Sequence, residues 1–435
     1  MNEVFLTLTF IAILFFFLGS GVWVALSLTA VSAIGMMLFT SRPVGDAMAT
    51  TIWGAASSWS LTALPLFIWM GEILFRTRLS ENLFKGLAPW MQRLPGGLLH
   101  VNIAGSAIFA AISGSSAATV ATVGKMSIPE LRKRRYPERM IVGTLAGAGT
   151  LGLLIPPSIT LIIYGVTVNE SIAKLFIAGI LPGILLALMF MGYTALWAAL
   201  KRQGGAEGGT RYALAEKLRA ALLLLPVFLL ILAVMGSIYL GFATATEAAV
   251  LGVVGALILS ALQGSLDRDS FMDSLLGATR TSAMIAFILA GSAFLSLAMG
   301  FTGLPRALAL WIGGMELSAF ALVAALTVFY IVLGCFLDGI SAVVLTMAVI
   351  EPLVRQAGFD MIWFGIYLMI VIEMAQITPP IGFNLFVLQG MTGHDMGFIA
   401  RAAVPFFAIM VLAVAVLVAV PEIATFLPSA MATRP

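Results

Sequence analysis

The sequence predicts an all-α polytopic membrane protein, folded as an inverted repeat of five spans plus one re-entrant hairpin per half. Three features point that way. The 435 residues are 61% hydrophobic and only 10% charged, whereas a soluble domain is roughly 45–50% apolar and about a quarter charged. The apolar segments run to about 20 residues, the length of a membrane-crossing helix, and lack the alternation of barrel strands. Two similar sets of breaks also interrupt the apolar runs. One is Ala111-Ile-Ser-Gly-Ser-Ser-Ala-Ala-Thr119, followed by Gly152-Leu-Leu-Ile-Pro-Pro-Ser158. The other is Leu337-Asp-Gly-Ile-Ser-Ala342, followed by Gln376-Ile-Thr-Pro-Pro-Ile-Gly382. Gly114 and Pro156 are 42 positions apart, Gly339 and Pro379 40.

Composition excludes several classes. The net charge of +3 reads as loop charge that sets topology, not as a nucleic-acid surface. One cysteine, Cys335, leaves no internal disulfide or cysteine cluster, and two histidines, His100 and His394, offer no histidine metal site or catalytic triad. Gly204-Gly205 and Gly208-Gly209 lack the Lys-Ser/Thr of a phosphate-binding loop, so ATP is not the driver. No catalytic cluster marks an enzyme.

In chain order, Val4–Leu18 and Gly21–Thr40 are apolar runs joined at Gly19-Ser-Gly21, as a helical hairpin or one long tilted helix. No basic n-region precedes Val4 and no small-residue cleavage signal follows, so the first run reads as a retained span. Thr50–Phe75 is a third span, with Glu72 near its end. Leu79, Leu83, Phe84, Leu87 and Trp90 recur at helical spacing among charges, the pattern of a helix lying in the membrane interface. Leu98–Val123 is divided by Ser113-Gly-Ser-Ser116 into two half-length segments that fit a re-entrant hairpin. A basic stretch over 125–139 precedes Ile141–Val166, a span broken at Pro156-Pro157, and then Lys174–Leu200. Residues 1–200 thus form the first repeat, 201–219 a cytoplasmic linker and 220–435 the second repeat. That repeat runs through spans Ala220–Leu240 and Glu247–Leu262, a polar 267–280 and span Ser282–Met299. A short interfacial helix over Pro305–Trp311 follows, then Ala319–Val349 split at Asp338-Gly339. Met361–Leu388, broken at Thr378-Pro-Pro380, and Ala402–Val420 complete it.

Five crossings is an odd number, so the second half enters the membrane from the opposite side. With the N-terminus outside, the inner loops 76–100, 125–140, 201–219, 264–282 and 391–401 hold 18 of the 23 Lys and Arg, the positive-inside bias. Both flanks of the first hairpin are then inside and both flanks of the second outside. The Arg132–Arg135 run reads as a topology determinant touching anionic lipid. Trp90 and Trp311 read as interfacial anchors.

Broken helices free backbone groups that lipid cannot satisfy. Carbonyls and hydroxyls replace water around a hard cation, and amides at positive dipole ends favour an anion. Ser113, Ser115, Ser116 and Thr150 add hydroxyls in the first half; Ser341 and Thr378 do so in the second, with Gln376 and Asn384 as amides. This set suits sodium held by neutral oxygens together with a small anion. A single Gly/Ser or Pro break is ordinary helix packing, but two matched sets are the pattern of a secondary transporter's binding site. Four carboxylates lie in or beside spans. Glu72 reads as interfacial, and Glu247 as a first-turn carboxylate behind a Thr246 N-cap. Asp338 is either a ligand at the second break or a cap of the returning half-helix. Glu373 is either a proton-coupling group or a residue packed on a polar partner.

These residues resemble a known family, the large membrane subunit of tripartite ATP-independent periplasmic (TRAP) transporters. The similar stretches are Pro65-Leu-Phe-Ile-Trp-Met-Gly-Glu72, Ser106-Ala-Ile-Phe-Ala-Ala-Ile-Ser-Gly-Ser-Ser-Ala-Ala118, Gly152-Leu-Leu-Ile-Pro-Pro-Ser158 and Leu175-Phe-Ile-Ala-Gly-Ile-Leu-Pro-Gly183. Thr244-Ala-Thr-Glu-Ala-Ala249 and Ile377-Thr-Pro-Pro-Ile-Gly-Phe-Asn-Leu-Phe386 complete the set, in order along nearly the whole chain. One departure is Met374-Ala-Gln376, where the family pattern carries a Gly. The resemblance implies an ion-transporter-superfamily elevator architecture in the bacterial inner membrane. It implies sodium-coupled uptake of a small organic acid with no cofactor, a periplasmic substrate-binding protein and a small four-helix membrane subunit. No further four-span block precedes Val4, so that subunit is expected as a separate chain. The family's ion sites carry over to Ser113, Ser116, Gly152, Ile155 and Pro157, and to Gly339, Ser341, Ile377 and Thr378. Ser115, Thr150, Asp338, Gln376 and Asn384 make the expected substrate-binding set. The rival readings are a stand-alone sodium/divalent-anion symporter that needs no binding protein, and a channel.

Overall fold

The computed structural model describes residues 3–77, 79–201, 212–303, 314, 318–335, 337–379 and 382–432. Its regular elements are all helices. The interfacial helix expected over Pro305–Trp311, most of the linker (202–211) and Pro380 lie outside the described residues. Among the described residues, five helices are long and apolar enough to cross a membrane, and two bent pairs bring the number to seven. Shorter apolar helices of 10–17 residues include Leu99–Ser113 and Ala319–Gly334.

Several boundaries differ from the sequence reading. The single span expected over Thr50–Phe75 is two α-helices, Val44–Ala56 and Ala63–Phe75, joined through a 3₁₀ turn at Trp59–Thr62. Pro65 explains the second start, since a proline in a first turn loses no hydrogen bond and would break a continuous helix. The basic stretch 125–139 is helical as far as Lys133, because Ile128 and Leu131 continue a buried stripe through it. For the same reason the polar 267–280 is the first part of one 35-residue helix, Arg268–Thr302, with Ser274 and Ala278 on its buried face. Asp267 caps it, accepting from the Ser270 amide at 2.7 Å. The end of the expected linker forms the helix Leu214–Leu222, bent by 52° from Leu225–Tyr239. The cap of the following helix is Thr244, not Thr246: its hydroxyl accepts from the Glu247 amide at 3.3 Å, and Glu247 accepts from the Thr244 amide at 2.8 Å. This reciprocal pair fixes the helix start two residues earlier and leaves Glu247 a capping carboxylate. The interfacial arm is present as Leu79–Met91, packed on Leu214–Leu222.

The packing divides into two parts. In one, Val24–Phe39 and Ala63–Phe75 lie along Arg268–Thr302, and Ala245–Leu262 lies on Ala63–Phe75. In the other, two hairpins and two broken helices exchange partners. The returning arm of the first hairpin, Ser116–Lys133, packs on Phe383–Thr392, the second piece of the second broken helix. The returning arm of the second, Gly339–Gln356, packs on Ile159–Thr167, the second piece of the first. Each broken helix also leans on a long span: Glu138–Gly149 on Met396–Ala419, and Met361–Gln376 on Ile172–Lys201.

Close approach in the first of these contacts depends on a small-residue pair. A Cβ at Gly143 would stand 2.6 Å from the Ala402 carbonyl oxygen, and one at Gly147 would enter the Phe406 ring. Glycines four apart let helix backbones meet where lipid supplies no hydrophobic drive for association. Gly143→Val should cost ~1–3 kcal/mol by overpacking and lower the thermal unfolding midpoint in detergent. Gly192→Val, at a position with open space around it, should leave that midpoint nearly unchanged. Equal melting of the two variants would overturn this packing.

Candidate ion and substrate site

The first hairpin turns at Gly114, whose φ of 58° lies in the left-handed region that glycine enters without penalty. Ser115 caps the returning arm, its hydroxyl accepting from the Ala118 amide at 3.4 Å. The tip presses on the first Pro-Pro break. A Cβ at Gly152 would lie 2.6 Å from both the Ser115 carbonyl oxygen and the Ser116 nitrogen, so only glycine fits there. Pro156 restricts the residue before it to extended backbone, and Ile155 accordingly leaves the helix with ψ 122°. The chain becomes helical again at Ile159, capped by Ser158, and the two pieces meet at 41°.

The second set of breaks is built differently. Asp338 caps the returning arm, accepting from the Ile340 and Ser341 amides at 3.1 and 3.3 Å. The helix Met361–Gln376 stops beside that cap, where Gln376 Nε2 donates to the Leu337 carbonyl at 3.5 Å. The Thr378 hydroxyl donates to the Met374 carbonyl at 2.7 Å, and the helix resumes at Phe383. Gly339 faces the first set across the interior: its Cβ position lies 2.8 Å from Leu153 Cδ1.

Glu373 joins the two sets. Its side chain is fully buried. Oε2 accepts from the Ser116 hydroxyl at 2.9 Å, and Oε1 accepts from the Leu153 amide at 3.1 Å. One carboxylate on the second broken helix thus holds the first hairpin tip and the first unwound segment. Ser116 Oγ also accepts from Asn384 Nδ2 at 2.5 Å and lies 3.1 Å from the Gly149 carbonyl. A hydroxyl has one proton, so it serves either the carboxylate or that carbonyl. None of the ion pairs formed among the described residues includes Glu373. A buried carboxylate without a cationic side chain is costly, and its two partners here are a neutral hydroxyl and a backbone amide. Asn384 Oδ1 and Thr160 Oγ1 are buried nearby in the same region without protein partners.

A cavity of about 820 Å³ opens between the two hairpin tips. Of the residues expected at the site, Ser113, Ser115, Ser116, Asp338, Gly339 and Gln376 line it. Gly152, Ile155 and Pro157 stand in the first break, and Ile377 and Thr378 in the second, outside that lining. Ser341 is buried in the first turn behind Asp338. Thr150 is also buried, and its hydroxyl turns back to the Gly147 carbonyl at 2.5 Å. Asn384 is buried at Ser116. Sequence reasoning missed Thr160, which lines the cavity, and the pair Glu72–Arg76, bonded at 2.6 Å in its wall. Only the chain fold brings these into the site; Glu72 reads in the sequence as an interfacial carboxylate near a span end.

Residues 11–423 match the family described as tripartite ATP-independent periplasmic transporter, DctM component. The chain is 30% identical to the C4-dicarboxylate TRAP transporter large permease protein DctM of Pseudomonas aeruginosa, covering 93% of this chain and 94% of that one. It is 29% identical to the ectoine/5-hydroxyectoine TRAP transporter large permease protein UehC of Ruegeria pomeroyi over 90% of this chain and 91% of that one. With the isethionate TRAP transporter permease protein DctMQ of Oleidesulfovibrio alaskensis it shares 31% identity over 94% of its own length and 64% of the relative's. The fold also resembles that of the YdaH transporter of Alcanivorax borkumensis, with a TM-score of 0.67 at 13% identity, over 92% of this chain and 96% of that one. With a family match this long, on a multi-pass helical fold, the chain belongs to the large permease (DctM) family of TRAP transporters.

Proposed function

We propose that the chain carries a small organic acid into the cell across the bacterial inner membrane, driven by sodium. A periplasmic binding protein delivers the acid, and a small membrane subunit braces the permease. The relatives named for C4-dicarboxylate, isethionate and ectoine transport support an acid-bearing solute of that size. The observation that carries the sodium reading is Glu373, a buried carboxylate with no cationic side chain that accepts from the Ser116 hydroxyl and the Leu153 amide where both sets of breaks meet, with the Asn384 side-chain oxygen buried in the same region without a protein partner. A sodium ion in that junction supplies the missing positive charge and takes neutral oxygens as ligands. The hairpins and broken helices form the moving body, and the helices around Arg268–Thr302 form the fixed scaffold, which makes the motion an elevator. The cavity extends from the tips to Arg76 and Thr281, residues that the loop-charge bias assigns to the inner side, so this conformation suits release inward.

The test is uptake of labelled C4-dicarboxylates, isethionate and ectoine into proteoliposomes holding the permease and its small subunit. Uptake of one of these should require both an inward sodium gradient and the cognate binding protein. Sodium-driven uptake with no binding protein would favour the stand-alone symporter instead, and passive current would favour a channel.

Glu373→Gln keeps the hydrogen-bonding shape and removes the charge. It should raise the sodium concentration for half-maximal uptake at least ~10-fold, since loss of a buried charge partner costs about 3 kcal/mol. Gly152→Ala should abolish uptake with membrane insertion intact, because its Cβ would displace the hairpin tip. An unchanged sodium dependence in Glu373→Gln would remove the carboxylate from the ion site.

A further inference from the structure

Two arginines outside the cavity make matching contacts on opposite ends of the hairpin body. Arg132 lies in the last turn of the first hairpin's returning arm, Ser116–Lys133. Its Nη2 donates to the Thr392 carbonyl at 3.3 Å, the last residue of the second broken helix. Arg355 lies in the last turn of the second hairpin's returning arm, Gly339–Gln356. Its Nη2 donates to the carbonyl of Val168 at 2.9 Å, the C-cap of the first broken helix. Arg132 and Arg355 are 223 positions apart and Val168 and Thr392 are 224, against 225 for Gly114 and Gly339. The two contacts are therefore the same contact made twice, once by each half upon the other.

Each guanidinium is held by a carboxylate that aims it. Arg132 Nε donates to Glu138 Oε1 at 2.7 Å and Nη2 to Oε2 at 3.1 Å. Arg355 Nε donates to Glu351 Oε1 at 2.9 Å, with Glu170 3.6 Å away. A helix C-terminus carries unpaired carbonyls and the negative end of the dipole, so a cation there is favourable twice over. Only arginine has a fork that bonds a carboxylate through one nitrogen and a carbonyl through another. The Arg132–Arg135 run reads in the sequence as a topology determinant touching anionic lipid; the fold also gives Arg132 a partner 260 positions away.

We propose that Arg132 and Arg355 are positioning residues of the transport cycle. Each clamps the base of one hairpin to the end of the other half's broken helix, so that hairpins and broken helices travel as one body and neither hairpin swings as a separate gate. The proposal rests on the elevator reading above and adds to it what keeps the moving body whole.

The test uses the full permease with its small subunit and binding protein, in a Cys335→Ser background. Arg132→Cys with Thr392→Cys, and separately Arg355→Cys with Glu170→Cys, remove one clamp each. Uptake per inserted protein should fall at least several-fold in both. A bifunctional thiol reagent about as long as an arginine side chain should then restore it, because the crosslink does what the guanidinium did. Crosslinking that leaves uptake low, or lowers it further, overturns the clamp: a hairpin that must open is stopped by such a tether. Undiminished uptake before crosslinking overturns it as well. The elevator reading has its own mark of failure. Gly71→Cys with Ile112→Cys, crosslinked across the close approach of the scaffold helix to the first hairpin, should stop uptake; transport through that tether overturns the elevator and leaves the clamp result readable.

Discussion

A helix that stops inside a membrane leaves carbonyls and amides that no lipid can satisfy, and the rest of this fold follows from satisfying them. The tip of the first hairpin cannot face lipid, so it faces the break in the helix that follows, with Gly152 permitting contact. The second hairpin meets its own broken helix through Gln376 and the Leu337 carbonyl. The two sets then meet each other, and Glu373 is the bond between them. What results is a small polar interior within an apolar bundle, made of groups that the surrounding medium has excluded.

The same constraint ties the two halves to each other. Helix ends away from the interior are tied across halves, by the Arg132 contact to Thr392 and the Arg355 contact to Val168. Between this body and the helices along Arg268–Thr302 lie a glycine-mediated approach, Gly71 against the Ile112 carbonyl, a buried hydrogen bond from the Ser292 hydroxyl to the Val344 carbonyl at 2.7 Å, and the Glu72–Arg76 pair bordering the cavity.

Much of this was legible in the sequence, for a physical reason. Gly-Ser and Pro-Pro interruptions are rare enough within apolar runs to stand out, and both hairpins and both broken helices lie where those signals put them. The failures share one cause: polarity was read as loop. Residues 125–133 and 268–280 carry charges on one face and a buried stripe on the other, so their helices continue. The split at Ser57-Ser58 was missed because the run stays apolar overall, although Pro65 marked where the second helix had to begin. Glu373 was visible as a buried charge, but its partner Ser116 is 257 positions away, and no local pattern links them. The Arg132 contact was invisible for the converse reason, since one residue of a basic run looks like its neighbours until the fold gives it a carbonyl to reach.

The two sets of breaks are similar in sequence and unlike in chemistry. The first has no acidic side chain of its own at its tip; the Ser116 hydroxyl and the Leu153 amide receive a carboxylate from the opposite half. The second carries Asp338, which accepts from two amides of the helix it caps, and Gln376 Nε2 spans from the broken helix to the hairpin tip. The two carboxylates are therefore placed differently: Glu373 is buried behind the first tip, held by the Ser116 hydroxyl and the Leu153 amide, whereas Asp338 lines the cavity and caps the second returning arm. The two halves thus use one kind of break for two kinds of contact, a carboxylate reaching between the halves at the first and a carboxylate spent on its own helix at the second.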